Sequence, residues 1–515
     1  MLVKYLPILI LLKCCSAYKI LYVSAIPSVS HGILTEGFVR HLLEAGHEVT
    51  NLSPFTVNHT SGNLRNIDIS ENRKFIEMRV FNVDVIMERK VDSQDQVLFI
   101  SMTDQLWKDT FQLDVVQKLA NDPNEKFDVI IAEWLYSDLI SGLASVFNCP
   151  LIWSSTMDPH SLVLSLIHEN LNPAYTIHHT SVDYSFTFLD RIYQLMSMCR
   201  VWYYKWVNAD TESEIFKQLY GSIVAKKGRI LPDYDDVRYN GSLMLGNSHI
   251  ITGDNIALPQ NYKHVGGYHI KDTVEPLPQH LKEIFDNSSN GVIYFSLGSN
   301  LKSSALPESI KRELINMFSE LKETVIWKFE KFMPDLPKNV HIIKWVSQQS
   351  VLAHPNCKLF ITHGGLLSKL EALHAGKPII GVPFFADQYI NVNRAVAKGF
   401  GKRVNFGTNI AHDLRIAIKE ILENQSYQQR AKELSKIFHD RTLPPGKELV
   451  YWIEHVIRTN GAPHMRSTAL NFRWYQKLYL DLLFVIVIVI LLLFIVSKHV
   501  TAMVRKEFRS KQKTK

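Results

Sequence analysis

The stretch Lys358-Leu359-Phe360-Ile361-Thr362-His363-Gly364-Gly365 decides how this chain is read. Its apolar residues up to Thr362 predict a buried strand. The His-Gly-Gly loop then opens a helix over Leu366 to Ala375, which Gly376-Lys377-Pro378 stops. Pro378-Ile379-Ile380-Gly381-Val382 resumes as strand, so this is one unit of a parallel sheet. Two glycines let backbone approach a ligand closely. The unpaired N–H groups of a helix start favour a phosphate, and His363 offers a further donor. Ser368 and Glu371, three residues apart, share one helix face. A hydroxyl near the helix start suits a phosphate, and a carboxylate one turn on suits the paired hydroxyls of a ribose. The spacing describes a nucleoside diphosphate lying along one helix. Taken singly, a Gly-Gly pair is equally a tight turn, and Ser-x-x-Glu a solvated helix face.

The same pattern recurs in both directions. Ile20 to Ser24 reads as strand, Ser30-His31-Gly32 as loop, and Phe38, Val39, Leu42 and Leu43 fall at helical spacing before Val49-Thr50 resumes as strand. Phe127 to Ala132 is a strand ending at Glu133, followed by a helix from Ser137 through Phe147 and a strand from Pro150 to Trp153. Pro276-Leu277-Pro278 reads as a linker, after which the pattern restarts at Gly291–Leu297 and continues at Thr324–Phe329 and Val340–Lys344. Two doubly wound α/β halves are predicted, with ligands bound outside the carboxyl ends of their strands. Composition agrees. At 515 residues, 46% hydrophobic and 21% charged, the chain is globular, with room for two to four domains. Disorder, collagen-like repeats and a disulfide-stapled miniature are excluded. A mean hydropathy of −0.03 excludes a polytopic membrane protein.

The two ends predict a membrane topology. A charged start, an apolar run from Tyr5 to Leu12 and small residues at Cys15-Ser16-Ala17 read as a secretory signal peptide, with the mature chain beginning at Tyr18. Leu482 to Val496 is uninterrupted apolar sequence, flanked by Trp474, Tyr475 and Tyr479 at the place of an interfacial belt. The tail from Lys498 carries seven basic residues against Glu507, so +6 of the chain's net +7 lies there. The basic balance is thus an orientation signal and not a nucleic-acid footprint. It predicts a single-pass type I protein with a lumenal body and a cytoplasmic tail. The ending Lys511-Gln512-Lys513-Thr514-Lys515 resembles the dilysine retrieval signal of endoplasmic reticulum membrane proteins. Beyond the leader only Cys149, Cys199 and Cys357 remain, with neither a disulfide framework nor a zinc spacing. Sequons stand at Asn51, Asn58, Asn240, Asn287 and Asn424.

The residues from Trp345 to Gln388 carry a resemblance. Trp345-Val346-Ser347-Gln348, Leu352-Ala353-His354-Pro355, Thr362-His363-Gly364-Gly365, Ser368, Glu371, Gly376, Pro378, Gly381-Val382-Pro383 and Ala386-Asp387-Gln388 together resemble the signature of the UDP-glycosyltransferases, the family-1 glycosyltransferases of GT-B fold. The likeness runs over essentially the whole chain and is closest to the membrane-bound animal branch. The Gly-Gly-Leu-Leu-Ser wording looks insect-type. The resemblance implies that Trp345 stacks on uracil and that Gln348 holds its edge or the ribose. It implies that His363, Ser368 and Ser299 lie near the diphosphate, that Glu371 binds the ribose and that Asp387 and Gln388 bind the sugar. No cofactor and no metal are implied, the UDP-sugar being a co-substrate. Three departures stand out: Ser347 replaces the usual Pro, Leu367 the frequent Asn, and Lys369 a small or uncharged residue, which could alter charge near the phosphates.

On the acceptor side the resemblance makes His31, in the pair Ser30-His31, the catalytic base. A neutral imidazole takes a proton from the acceptor hydroxyl as it attacks the anomeric carbon, which inverts that centre. Such a base needs an orienting carboxylate. Glu133 stands where many relatives carry Asp, with Asp138 as competitor. The activity implied is transfer of a sugar, glucose by the insect-type likeness, to a hydroxyl of a small lipophilic acceptor. A catalytically silent relative that binds nucleotide-sugar or lipid as a partner subunit is the alternative. An epimerase or phosphorylase on the same fold has less support. Acceptor identity, glucose against glucuronic acid, and self-association through the apolar segment stay open. The layout expected is a leader over 1–17, an acceptor domain over 18–265, a linker over 266–285 and a donor domain over 286–437. Helices returning to the first domain over 438–475, a span over 478–497 and the tail over 498–515 complete it.

Overall fold

The computed structural model describes residues 17–74 and 95–513. The expected leader, Ala17 apart, and the last two residues of the dilysine-like ending lie outside them.

Two parallel sheets carry the body of the chain. The first has seven strands, β1 (Lys19–Val23), β2 (Glu48–Ser53), β3 (Leu64–Asp68), β4 (Val129–Trp134), β5 (Leu151–Ser155), β6 (Met244–Gly246) and β7 (Tyr262–His264), in the order β3-β2-β1-β4-β5-β6-β7. The second has six, β8 (Val292–Ser296), β9 (Thr324–Lys328), β10 (Val340–Ile343), β11 (Cys357–Thr362), β12 (Ile379–Gly381) and β13 (Gly401–Arg403), in the order β10-β9-β8-β11-β12-β13. Both orders reverse beside their first strand, which opens a crevice at its carboxyl end. The helices used below are α1 (Val29–Glu44), α2 (Gln96–Gln112), α3 (Phe188–Lys226), α4 (Leu366–His374), α5 (Gln388–Ala397), α6 (Pro445–Arg458) and α7 (Leu480–Lys513).

The apolar strands are continuous runs because both faces of each sheet are covered. On β1, Leu21 and Val23 enter one core with Trp107, Trp134 and Tyr220, whereas Ile20 and Tyr22 enter another with Phe38 and Leu42. On β8, Ile293 and Phe295 pack with Trp327, and Val292 and Tyr294 with Phe285 and Phe360. Each such side chain contributes about 1.5–3 kcal/mol by leaving water. Leu449, Ile453 and Val456 of α6 share the core of Ile20 and Phe38, so the chain returns to the first sheet after completing the second.

Some boundaries differ from the sequence reading, with consequences for the site. α1 begins at Val29, directly after extended Ser28, so His31 stands in a helical first turn and not in a loop. Burial of Leu34 and Phe38 on the sheet outweighs the turn signal of Ser30 and Gly32. β4 runs on to Trp134, because Glu133 pairs with Ser154 in the parallel ladder. The helix expected over Ser137–Phe147 is a 3-10 turn, Leu139–Ser141, followed by α-helix from Gly142 to Phe147. Asn51 is buried in β2 and donates to Asn66, so that sequon is not accessible in the folded chain.

Residues 467–515 form a separate unit. Its helix α7 is long and apolar enough to cross a membrane, with mean hydropathy 3.3 over its most apolar window. It continues past the expected span to Lys513, since Lys, Arg and Met sustain a helix without burial.

Candidate active site

Strand ends and helix starts from both halves line one cavity of about 460 Å³. His31, Ser299, Trp345, Gln348, His363, Gly365, Ser368, Glu371, Asp387 and Gln388 all face it. Gly364 holds the turn beneath it at φ +84, where an added Cβ would meet Val392 at 2.3 Å. Across the cleft, Ser28 Oγ donates to Asn300 Oδ1 at 2.9 Å.

The donor end is built on α4. No side chain caps its start at Gly365, so its first N–H groups are left for a ligand. His363 lies half-buried beneath it and lines the cavity. Burial, then Lys328, push its imidazole down to about 4, so it is neutral at physiological pH and donates from one nitrogen. The ring is hemmed in by glycines: a Cβ on Gly298, at φ +83, would approach it at 2.5 Å, and one on Gly365 at 2.6 Å. One turn along, Glu371 accepts from Gln348 Nε2 at 2.5 Å on Oε2 and from Gln349 Nε2 at 3.2 Å on Oε1. Gln348 also donates to Ser368 Oγ at 3.1 Å. These side chains hold one another in register at the cavity. Trp345 leaves 60% of its surface exposed at the cavity wall, an open ring face for a planar base.

Gln388 spends Oε1 on the N–H of Phe384 at 2.8 Å and of Phe385 at 3.3 Å. Its amide NH₂ is therefore the part offered to the cavity. Burial raises the carboxyl of Asp387 against the opposing hydrogen bond from Asn391. The preceding Ala386 sits at φ +52, a strained backbone that the surrounding loop holds in place.

At the other end, His31 Nδ1 is hydrogen-bonded to Glu133 Oε1. Glu133 is buried at the end of β4. A carboxylate on Nδ1 fixes that proton and leaves Nε2 as the basic nitrogen. Asp138 does not meet His31. It accepts from Trp134 Nε1 at 2.7 Å and from Lys205 Nζ at 2.8 Å, with Arg238 at 3.7 Å. Burial pushes its carboxyl up, and the two cations outweigh burial. The extra methylene of Glu and the extension of β4 bring Glu133 within reach; five residues on, Asp138 is committed to its own ion cluster. Beyond His31 the cavity is lined by Ile33, Leu34, Phe99, Met102, Leu106 and Met157, an apolar wall.

The three departures also resolve. Ser347 caps the helix Gln348–Ala353, accepting from the Ser350 N–H at 3.3 Å. Leu367 lines the cavity and packs against the first half. Lys369 turns away from the cavity. Its ammonium is buried against Asp158 Oδ2 at 3.1 Å, Thr252 O at 3.2 Å and Asn391 Oδ1 at 3.1 Å. One residue of helix turns it from the Ser368 face toward the other domain.

Sequence reasoning missed Lys328. It closes strand β9, lines the cavity, donates to Gly298 O at 2.8 Å and lies 5.6 Å from the Trp345 ring centroid. Its signal was a cation ending an apolar strand at the carboxyl edge of the sheet. His269, in the loop after β7, and Gln349, beside Gln348 on the helix Gln348–Ala353, were also missed; packing brings both to Glu371.

A family model described as UDP-glucoronosyl and UDP-glucosyl transferase matches residues 19–514. The chain is 29% identical over 516 residues to UDP-glucosyltransferase 2 of Dactylopius coccus, covering 98% of this chain and 97% of that one. It is 28% identical over 503 residues to UDP-glucuronosyltransferase 2B7 of Homo sapiens, covering 91% and 90%. Among solved structures it resembles glycosyltransferase VinC in complex with DTDP, at TM-score 0.55 and 16% identity, over 86% of this chain and 99% of that one. Two parallel sheets facing one cleft, a helix start and a glycine loop at the donor end, and a full-length family match carry one conclusion: the chain belongs to the UDP-glucuronosyl and UDP-glucosyl transferase family and is a UDP-glycosyltransferase of GT-B fold.

Proposed function

We propose that this enzyme transfers glucose from UDP-glucose to a hydroxyl of a small lipophilic acceptor, with His31 as general base and inversion at the anomeric carbon. The observation that carries the reading is that His31, held from behind by buried Glu133, faces the same cavity as the donor cluster. The acceptor hydroxyl loses its proton to His31 Nε2 while its oxygen bonds to the anomeric carbon. The bond from that carbon to the diphosphate oxygen breaks on the opposite face, and UDP departs with the electron pair. Glu133 stabilises the imidazolium formed. Lys328, the start of α4 and His363 meet the charge that develops on the diphosphate. With that charge supplied by the chain, we propose that no metal takes part. The apolar wall of Phe99, Met102 and Leu106 supports a lipophilic acceptor. The name of the Dactylopius coccus relative and the insect-type loop wording favour glucose. We further propose single-pass anchoring by α7 in the endoplasmic reticulum membrane, with a lumenal catalytic body.

The test is UDP release from microsomes containing the full chain, beside His31→Ala. UDP-glucose and UDP-glucuronate are each offered with phenols, flavonoids and steroids. Turnover with UDP-glucose is expected, falling about 10²–10⁴-fold in His31→Ala while UDP binding persists. Turnover with UDP-glucuronate alone would overturn the donor assignment. Binding of UDP without turnover of either donor would favour the silent partner-subunit reading.

A further inference from the structure

Helix α3 is two helices in behaviour. Its C-terminal half is core: Phe216, Tyr220, Ile223 and Val224 are buried, and Tyr220 accepts from Trp107 Nε1 at 2.7 Å. Between 188 and 207 only Gln194 and Val201 are buried. The opposite side is apolar and open. Leu189 is 73% exposed and Trp206 75%, and Phe188, Tyr193, Met196 and Tyr203 are exposed with them. At ~100° per residue these side chains cover an arc of about 140°. That is far wider than the seam of a paired helix. Aromatic residues recur along it, and the exposed arginines Arg191 and Arg200 stand at its two margins, with Arg191 packed over the Phe188 ring at 5.9 Å. A broad apolar face with Trp and Tyr and basic margins is the pattern of a helix lying in a membrane interface. Such a face is too large to be incidental on a water-soluble body.

We propose that the N-terminal half of α3 lies in the surface of the bilayer and forms a second, interfacial membrane contact of the catalytic body. Anchoring by α7, as proposed above, would tether the catalytic body to a bilayer through the connecting stretch 467–479. The contact has a use in catalysis. Gln96 Nε2 of α2 donates to Ser197 Oγ of α3 at 3.3 Å, and Arg200 pairs with Asp95 at 2.6 Å. The next turns of α2 carry Phe99, Met102 and Leu106 into the acceptor end of the cavity. A lipophilic acceptor dissolved in the bilayer therefore meets the wall of its own pocket one helix away. This delivery role rests on the proposed acceptor class; the interfacial contact does not.

Cys199 lies on this face and is exposed, whereas burial pushes the thiols of Cys149 and Cys357 up to about 12 and about 11. An environment-sensitive fluorophore on Cys199 of the full chain in phosphatidylcholine nanodiscs, blanked by Cys199→Ser, reads the contact without any activity. Nitroxide lipids labelled near the headgroup are expected to quench it at least two-fold. A probe at the exposed Phe332, introduced as Phe332→Cys in the Cys199→Ser background, should stay unquenched. No quenching at Cys199, or cross-linking between copies through it in place of quenching, overturns the proposal. In a second arm, Leu189→Glu with Trp206→Glu is expected to raise KM several-fold for a membrane-partitioning phenol only. KM for a water-soluble acceptor and for the UDP-sugar should not move. Quenching with unchanged KM values would overturn delivery and keep the contact.

Discussion

Glu133 lends itself to a test at the scale of one residue. Its carboxylate is buried, hydrogen-bonded to His31 and separate from the cavity's donor end. Glu133→Gln keeps the shape and removes the charge that, in the proposed mechanism, stabilises the imidazolium. A drop in kcat of about 10²–10⁴-fold is expected, with KM for the UDP-sugar nearly unchanged. Asp138, tied to Lys205, should behave as a stability residue instead. A Glu133→Gln enzyme with wild-type kcat would remove Glu133 from the mechanism. The sequence alone left the two carboxylates in competition, because they stand five residues apart beyond one strand. The extension of β4 separated them.

Among the elements, the loop from β11 into α4 shows how backbone sets chemistry. Gly365 has an ordinary φ for an N-cap, so alanine fits its backbone, but the new Cβ would press on His363 Nε2 at 2.6 Å. The imidazole must swing away while the helix survives. Gly365→Ala is therefore expected to raise KM for UDP-sugar about ten- to a hundred-fold, the value of a hydrogen bond to a charged group, with little change in thermal stability. An unaltered KM would mean that His363 does not touch the diphosphate. The loop itself was legible in the sequence, since strand, His-Gly-Gly and helix are local signals. The glycine–histidine contact was not, because Gly298 reaches His363 from a separate strand end.

Across the whole molecule, a buried ion network joins the two halves. Asp158, beyond β5, meets Lys369 of α4 at 3.1 Å and Arg394 of α5 at 3.3 Å, and Arg394 pairs with Asp254 at 2.6 Å. Asp158→Ala leaves two buried cations with less compensation, at a cost of about 3–5 kcal/mol. Its unfolding midpoint in detergent should fall clearly, and an unchanged midpoint would show that the network contributes nothing net. Acid should act on the same scale. Burial pushes His178, His363 and His374 down to about 4 and His249 to about 3. Their unfolded forms titrate near ~6.5. Between those values the unfolded chain binds more protons than the folded one, so stability is lost as pH falls from about 6.5 toward 4. Asp104, raised to about 7 mainly by burial, opposes this with a single proton. Thermal unfolding at pH 5 should occur below that at pH 7, and a higher midpoint at pH 5 would contradict the assigned burial of these rings.

By itself the sequence determined the two α/β halves, the donor loop and helix, and the apolar C-terminal helix. Each is written in near neighbours, through strand runs, glycine turns and residues three or four apart on one helix face. Tertiary structure alone decided which carboxylate serves His31, that Lys328, His269 and Gln349 join the donor end, and that Lys369 turns away from it. Those outcomes depend on side chains far apart in the chain. Local pattern says which face of an element a residue occupies, but only packing says what that face meets.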